Sequence, residues 1–231
     1  MKNFKTKKIG IIDGMGAFAG ARFFQLLLEK ISDENLDFPE IILNAVAIED
    51  FIADPNKIVP AKKIISQRIK FFNQQNVSMV VMACNTAHII HLDLLKISKC
   101  PFPSIIDLVV SDIKNKKIDK VGILASPTTL RTKLYEDKLV ADGLNPVIPN
   151  QNFQILLERV IRGVLNNKLT EIHVNNLNIS TRDFIENNQL NGIILGCTEL
   201  PLAFQKSKFR DIKIFDSLDI LADAVVEHIK N

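Results

Sequence analysis

The sequence has few of the residues that build disulfide frameworks or metal centres. It holds three cysteines and four histidines among 231 residues, and no two cysteines form a Cys-x-x-Cys pair. An odd cysteine count argues against a disulfide framework. His88 and His91 are three residues apart on a predicted helix, and we interpret them as helix-surface or capping residues rather than metal ligands. We therefore expect no metal site.

Long apolar runs and a strong charge bias are also missing. No apolar stretch approaches the roughly 18 residues that a membrane-spanning helix needs. The net charge is +3, and the basic residues are concentrated only in residues 2–8, which predicts a solvated, frayed N-terminus. Aromatic and basic residues do not interleave as in a nucleic-acid groove. The apolar stretch after Lys8 breaks at Asp13, too early for a signal peptide. We expect a cytoplasmic protein without membrane or nucleic-acid partners.

What the sequence does contain is a repeated pattern. Each half opens on a matching apolar run, Ile9-Gly10-Ile11-Ile12 in the first and Val121-Gly122-Ile123-Leu124 in the second. Each half later closes another apolar run with a cysteine, Cys84 or Cys197. The interval from Ile9 to Cys84 matches the interval from Val121 to Cys197 to within one residue. The pattern predicts two copies of one strand-and-helix unit, each presenting a thiol at the same structural point.

Short runs rich in Ile, Val and Leu alternate with longer helical patterns, which indicates an α/β fold with parallel sheets. The runs are apolar throughout, as expected of strands covered on both faces. We predict strands at 8–12, 40–47, 78–83, 103–106, 120–124, 145–148, 192–195 and 212–215. We predict helices at 18–31, 59–74, 86–96, 107–115, 129–141, 152–166, 170–187 and 217–229.

The repeat predicts two pseudo-symmetric lobes, each a parallel-stranded sheet flanked by helices, with the active site between them. We place the first lobe at residues 1–106 plus 217–231 and the second at residues 107–216. The segments 103–107 and 212–216 look like counterpart strands that each run into a helix. The last helix is expected to cross back onto the first lobe. Ligands of open α/β sheets bind beyond the carboxyl ends of the strands, where both cysteines stand.

Each of these two cysteines precedes a helix, whose N-terminal amides and dipole favour thiolate over thiol. The residues that follow them, Asn85-Thr86 and Thr198-Glu199, are capping and hydrogen-bonding types that suit a carboxylate ligand. Two such thiols across a cleft suit inversion of a carbon acid, because each direction needs a base on one face and an acid on the other. Cys100, before Pro101, is interpreted as a structural residue.

At these residues the chain resembles the aspartate/glutamate racemase family, a group of cofactor-independent enzymes with two α/β lobes. The most specific motifs are Cys84-Asn85-Thr86-Ala87-His88 and Gly196-Cys197-Thr198-Glu199. Weaker matches are Gly14-Met15-Gly16 and Ala125-Ser126-Pro127-Thr128-Thr129 with Tyr135. The resemblance implies an amino-acid substrate, no cofactor, a homodimer, and Cys84 and Cys197 as the two acid/base residues. It further implies substrate contacts from Gly14, Met15, Gly16, Asn85, Thr86, Thr129, Thr198 and Glu199.

Three residues of these motifs have two interpretations each. Asp13 stands where aspartate racemases usually have glycine, and it looks more like the aspartate of glutamate racemases. It is predicted either to contact the substrate ammonium or influence Cys84, or to be a turn residue before Gly14. His88 either orients a substrate group or faces water. Glu199 either tunes the neighbouring thiol or caps a helix.

The loop after the second strand departs from aspartate-specific relatives, which tend to place an arginine there. This chain reads Ile48-Glu49-Asp50-Phe51, with no basic residue before Lys57. The helix near Gly163 also lacks the lysine of some aspartate enzymes. Because a bidentate arginine–carboxylate contact is not easily replaced, a neutral or broader amino-acid range is as plausible as aspartate.

Other functions stay open at this point. Residues 14–19 fit the loose Gly-x-Gly-x-x-Ala nucleotide fingerprint, but Glu49 and Asp50 come too late for its acidic residue, and the cysteines would be unexplained. Within the superfamily, the same cysteine pair serves hydantoin racemisation and maleate isomerisation, and a single-cysteine variant decarboxylates malonates. A non-catalytic amino-acid-binding relative is a further alternative.

Overall fold

Two parallel β-sheets form the frame of the computed structural model, which describes residues 7–48 and 54–231. The first sheet has the order β2-β1-β3 and the second the order β5-β4-β6-β7. The first three strands of each half thus pair in the same order, so the predicted two-sheet α/β fold is confirmed. The strands are β1 Lys8–Asp13, β2 Glu40–Ala45, β3 Met79–Met82, β4 Lys120–Ala125, β5 Asn145–Val147, β6 Gly192–Gly196 and β7 Lys213–Asp216.

The helices flank both sheets. They are α1 Ala17–Asp33, α2 Ile58–Gln74, α3 His91–Leu95, α4 Ile105–Asn115, α5 Pro127–Arg131, α6 Glu136–Ala141, α7 Gln151–Leu165, α8 Glu171–Asn188, α9 Leu200–Ala203 and α10 Ser217–Lys230, with 3₁₀ turns at Pro55–Lys57, Thr86–Ile90 and Lys206–Lys208. No helix in the described ranges is long and apolar enough to cross a membrane.

The predicted strand at 103–106 is wrong, so it is not a counterpart of β7. The Val80 amide donates to the carbonyl of Pro101 at 2.9 Å, but this contact does not extend into a ladder. Pro101 and Pro103 have no amide hydrogen to donate to a neighbouring strand. The Ser104 hydroxyl then accepts from the Asp107 amide at 3.2 Å and caps α4, which starts at Ile105.

Two predicted helices are divided. The segment predicted at 86–96 is a 3₁₀ turn followed by α3, and the segment at 129–141 is α5 followed by α6. Between α5 and α6, Lys133 has φ 53°, a left-handed conformation that ends a helix. The hydrophobic spacing of a helix continues across this break, which is why the sequence did not reveal it.

One apolar core joins the two sheets. Ile11 of β1, Val81 of β3, Ile123 of β4 and Ile194 of β6 all contribute to it, together with Val225 of α10. Alternate strand residues face the opposite way into two outer cores, one for each half. Helix α10 packs against α1 and α4. The halves are therefore held by a shared interior, which fixes how their strand ends meet.

Candidate active site

The loops at the carboxyl ends of β3 and β4 meet through three hydroxyl groups. Thr86 Oγ1 lies 3.0 Å from both Ser126 Oγ and Thr129 Oγ1, and the last two atoms are also 3.0 Å apart. All three side chains are buried. We call these three residues the hydroxyl cluster. It gives this side of the site donors that can turn toward an anion.

At the ends of β1 and β6 the neighbouring side chains are carboxylates instead, Asp13 and Glu199, and burial, followed by the charge of Asp13, raises the pKa of Glu199. Glu199 Oε2 accepts from the Cys197 thiol at 2.9 Å and from the Thr198 hydroxyl at 3.3 Å. Within the described residues, Glu199 Oε1 and Asp13 Oδ1 are buried without a hydrogen-bond partner. We call Asp13 and Glu199 the carboxylate pair. An unpartnered buried carboxylate oxygen is costly, and a cationic ligand would relieve that cost.

Two glycines leave space for the carboxylate pair. Gly16 is the N-cap of α1, and Gly20 lies one turn further along the helix. A Cβ added at Gly16 would lie 1.9 Å from Glu199 Oε1. A Cβ added at Gly20 would lie 1.9 Å from Asp13 Cγ and within 2.0 Å of both its oxygens. Gly16 is a predicted site residue, whereas Gly20 is not. The Gly-x-x-x-Gly spacing, one helical turn, is the sequence signal that was available for it.

The two thiols are buried, with 7% of Cys84 and 5% of Cys197 exposed. Burial, followed by the negative charge of Glu199, raises the pKa of Cys84 to about 12, although the amides of Thr86 and Ala87 act against this. Burial and Glu199 also raise the pKa of Cys197 well above its usual range, and the charge of Cys84 adds to this. The pKa of each thiol therefore shifts in the direction opposite to the one expected from the helix amides alone. Desolvation and nearby carboxylates outweigh the helix amides.

The side chain of Asn85 is hydrogen-bonded to the protein through both its oxygen and its nitrogen. Its side-chain oxygen accepts from the Tyr135 hydroxyl at 2.5 Å, and its side-chain nitrogen donates to Ser217 Oγ at 2.9 Å. The Ser217 hydroxyl in turn donates to the carbonyl of Leu195 at 2.9 Å. Both ends of the Asn85 amide are thus engaged within the protein.

His88 neither faces water nor lies on a helix surface. Only 5% of it is exposed, its Nδ1 lies 2.8 Å from the carbonyl of Cys84, and its Nε2 accepts from the Ile105 amide at 3.1 Å. Burial lowers the pKa of His88 to about 3. A neutral ring protonated at Nδ1 satisfies both contacts. His91, stacked on His88 with ring centroids 5.2 Å apart, is also buried.

The remaining predicted residues surround these groups. Gly14 has φ +98°, and a Cβ there would lie 2.2 Å from the Val46 carbonyl, so glycine is needed at this turn. The Asp13 carbonyl accepts from the Val46 amide at 2.8 Å, so Asp13 serves the turn as well as the carboxylate pair. Met15 packs against the outer core of the first half. The third cysteine, Cys100, has its sulfur 3.8 Å from the Ser98 hydroxyl.

Three features of the site were not predicted as such. Ser126 and Ser217 stand at the ends of β4 and β7, positions that the strand prediction itself singles out. Leu165 of α7 lies near Glu199 at Gly16. A Cβ added at Gly16 would be 1.9 Å from Glu199 Oε1 and 3.4 Å from Leu165 Cδ2. The residues 49–51 on which the substrate-range prediction partly rests lie outside the described residues, as do residues 2–6 of the basic N-terminus.

Neither of two surface cavities formed by described residues is lined by Cys84 or Cys197. One of about 460 Å³ is lined by residues of α7 and α8, and one of about 280 Å³ lies near Arg22, Pro201 and Asp216. In the described ranges no group of three or more His, Cys, Asp or Glu side chains is arranged to hold a metal ion. The strand ends bring together the two thiols, the carboxylate pair and the hydroxyl cluster.

Comparison with known proteins identifies a family that the chain matches over most of its length. A family model described as Asp/Glu/hydantoin racemase matches residues 12–225. The chain is 26% identical over 234 residues to a glutamate racemase of Helicobacter acinonychis, covering 96% of this chain and 86% of that protein. It is 26% identical over 165 residues to a glutamate racemase of Prochlorococcus marinus, and that match spans 70% of this chain but only 60% of the relative.

The fold is similar to that of a solved structure. The crystal structure of an aspartate racemase homologue from Pyrococcus horikoshii superposes with a TM-score of 0.83 at 27% sequence identity. The superposition covers 98% of this chain and 100% of that one. The likeness therefore extends over both sheets.

Proposed function

This chain belongs to the Asp/Glu/hydantoin racemase family, and on that premise we propose that it is a cofactor-independent amino-acid racemase. The proposed active site lies between a first lobe of residues 1–106 plus 217–231 and a second lobe of residues 107–216. Cys84 and Cys197 are the proposed acid/base pair. The observation that carries the proposal is the placement of two buried thiols at equivalent strand ends, close enough that the charge of one affects the pKa of the other.

The surroundings of the thiols support a zwitterionic substrate. An α-ammonium group would satisfy the unpartnered oxygens of Asp13 and Glu199. An α-carboxylate would take hydrogen bonds from the hydroxyl cluster, whose three groups bond to one another. The Ser126 hydroxyl also accepts from the Thr129 amide at 3.2 Å, so its hydrogen stays available for donation. This orientation places the two charges of an amino acid at opposite sides of the site and its α-carbon between the thiols.

The raised pKa of both thiols fits a site that becomes reactive only when it is occupied. Glu199 adds negative charge near both thiols, and Asp13 adds it near Cys84, which disfavours a thiolate. A bound ammonium offsets that charge and lowers the pKa of both thiols. One thiolate then removes the α-proton and the opposite thiol donates a proton to the other face, while donors on the substrate carboxylate stabilise the carbanion-like transition state.

For the substrate side chain we propose a neutral or broad range rather than strict aspartate preference. Leu165 is an apolar neighbour of Gly16 at the site, in the helix where some aspartate enzymes have a lysine. An apolar side chain offers no partner to a second carboxylate, which would lose hydration on binding. The predicted homodimer and cytoplasmic location stay predictions that the resemblance and composition imply.

The test is a panel of L- and D-amino acids incubated with the protein in D₂O. Circular dichroism reports inversion, and proton NMR reports loss of the α-hydrogen. We expect inversion of one or more amino acids without added cofactor. Cys84→Ser and Cys197→Ser are each expected to lose about 10³-fold in inversion, because a serine hydroxyl is a far weaker acid than a thiol and does not ionise to supply a base. Cys100→Ser is the matched control and keeps wild-type activity.

Several results would contradict the proposal. Full inversion in either Cys84→Ser or Cys197→Ser would remove the two-thiol mechanism. Saturable amino-acid binding without α-hydrogen exchange would identify a non-catalytic relative instead. Turnover of aspartate alone would refute the broad substrate range but leave the mechanism intact. Turnover of hydantoins or maleate, but of no amino acid, would place the chain with another activity of the superfamily.

A further inference from the structure

The side chain of Asn85 joins the two halves directly behind the thiols. We infer that Tyr135, Asn85 and Ser217 are positioning residues that set the separation of Cys84 and Cys197, an inference that rests on the proposed racemase function. The three side chains form one chain of hydrogen bonds, from the Tyr135 hydroxyl through the Asn85 amide to Ser217 Oγ. We call it the positioning network.

The network is attached to both cysteines through the backbone. Asn85 immediately follows Cys84, so a rotation of its peptide moves that thiol. At the other end, the Ser217 hydroxyl donates to the carbonyl of Leu195, two residues before Cys197. The ring of Tyr135 lies against Gly196, where an added Cβ would be 2.8 Å from Tyr135 Cε2. The two strand ends are therefore linked through these three side chains.

The network is buried, and its side chains are hydrogen-bonded to one another. Tyr135 and Asn85 are each 1% exposed and Ser217 is fully buried. Burial, with the charges of Cys197 and Asp216, raises the pKa of Tyr135 well above its usual range, so the phenol stays protonated and donates. A buried hydrogen bond costs more to leave unmade than an exposed one. Each residue thus has one stable arrangement.

Fixed separation matters more for inversion than for proton exchange. One thiol near the α-carbon suffices to remove a proton and exchange it with solvent. Inversion also needs the second thiol in line on the opposite face, and a displacement on the order of 1 Å lowers such a step about 10²-fold. Loosening the network should therefore uncouple exchange from inversion, whereas a general loss of folded protein lowers both equally.

The experiment compares Tyr135→Phe, Ser217→Ala and the double variant with wild type. Tyr135→Phe keeps the ring against Gly196 and removes only the hydroxyl. Thr181→Val is the matched control, because the Thr181 hydroxyl is buried in α8 without a hydrogen-bond partner in the described part of the chain. Inversion and α-hydrogen exchange are measured in D₂O on the best substrate of the wild-type panel.

We expect kcat for inversion to fall by about 10- to 100-fold in Tyr135→Phe with little change in KM. The ratio of exchange to inversion rises in the same variant. The double variant is expected to lose about as much as the more severe single variant, since the residues act as one unit. Thr181→Val keeps the wild-type kcat and ratio. An unchanged ratio in Tyr135→Phe, or the same change in Thr181→Val, would overturn the inference.

A second measurement does not depend on turnover. Dibromobimane cross-links two thiols only when they lie close together, and peptide mass spectrometry identifies the linked pair. We expect the Cys84–Cys197 cross-link in wild type and a lower yield in Tyr135→Phe. If wild type racemises nothing, the proposed function fails while this comparison still tests the network. An equal yield in both proteins would show that the network does not set the separation.

Discussion

The two thiol-bearing turns have the same backbone position but different neighbours. Thr86 and Glu199 each stand two residues after a cysteine, at equivalent strand ends. Thr86 reaches across to the hydroxyls of Ser126 and Thr129. Glu199 instead accepts a hydrogen bond from the Cys197 thiol and lies so close to Gly16 that a Cβ there would clash with it. The duplicated fold thus places two thiols at equivalent points, while the side chains two positions later give one turn hydroxyl partners and the other turn a carboxylate. In the proposed function these are the anion-binding side and the cation-binding side.

A second difference lies two residues further along each turn. In the first half, His88 bonds both the carbonyl of Cys84 and the amide of Ile105, so a buried imidazole holds the turn. In the second half the corresponding position is Pro201, which begins the short helix α9 with Leu200. The backbone of the turn at Cys84 is therefore held by an imidazole, whereas a proline stands at the corresponding position of the turn at Cys197.

The largest expected effect concerns this imidazole. The pKa of His88 is about 3 in the folded protein against 6.5 for the free side chain, so between these values the unfolded state binds more protons. Stability conferred by the neutral ring is complete above pH 6.5 and is lost as the pH falls, by about 1.4 kcal/mol per pH unit. Urea unfolding of wild type and His88→Gln from pH 7 to pH 4 measures this.

We expect wild type to lose stability more steeply toward low pH than His88→Gln. Asp13 and Glu199 have raised pKa values, mainly from burial, and contribute with the opposite sign. Both proteins contain them, so they cancel in the difference between the two slopes. Parallel slopes would show that His88 is not a buried neutral group, and the two turns would then be more alike than the contacts indicate.

The next effect concerns the space for the carboxylate pair. Gly20→Ala forces a methyl group onto the Asp13 carboxylate, and such overpacking costs about 1–3 kcal/mol. Gly163→Ala is the control, since its Cβ would meet nothing closer than 3.5 Å and alanine favours a helix by up to about 1 kcal/mol. Thermal unfolding and inversion rates are the measurements. If Gly20→Ala were as stable and as active as Gly163→Ala, the Asp13 side chain would have to move aside without cost.

The smallest effect concerns the charge of Glu199. Glu199→Gln keeps the shape but removes a negative charge that helps to raise the pKa of both thiols, after burial. We expect iodoacetamide to modify both at lower pH than in wild type, with the larger change at Cys197, which Glu199 contacts directly. Cys100 is the internal reference. If the pH dependence of modification changed only at Cys84, or at neither thiol, the contact between Glu199 and the Cys197 thiol would be contradicted.

The sequence predicted most of the strands because their signal is local. Apolar runs such as the one in β3 are covered on both faces, and each ends where the pattern changes. The segment at 103–106 misled because Ile105 and Ile106 are as apolar as a strand, while the prolines before them prevent a ladder and Ser104 starts a helix. The break at Lys133 left no mark in the hydrophobic spacing.

The sequence by itself determined the repeat, the two parallel sheets and the equivalent positions of Cys84 and Cys197, because periodicity and interval are properties of the chain. Only the tertiary structure decided the protonation of those thiols and the partners of Asn85. The pKa of a buried group depends on desolvation and on charges from other loops. The partners of Asn85 are Tyr135, 50 residues away, and Ser217, 132 residues away, and only the packing of both sheets against α10 brings them together.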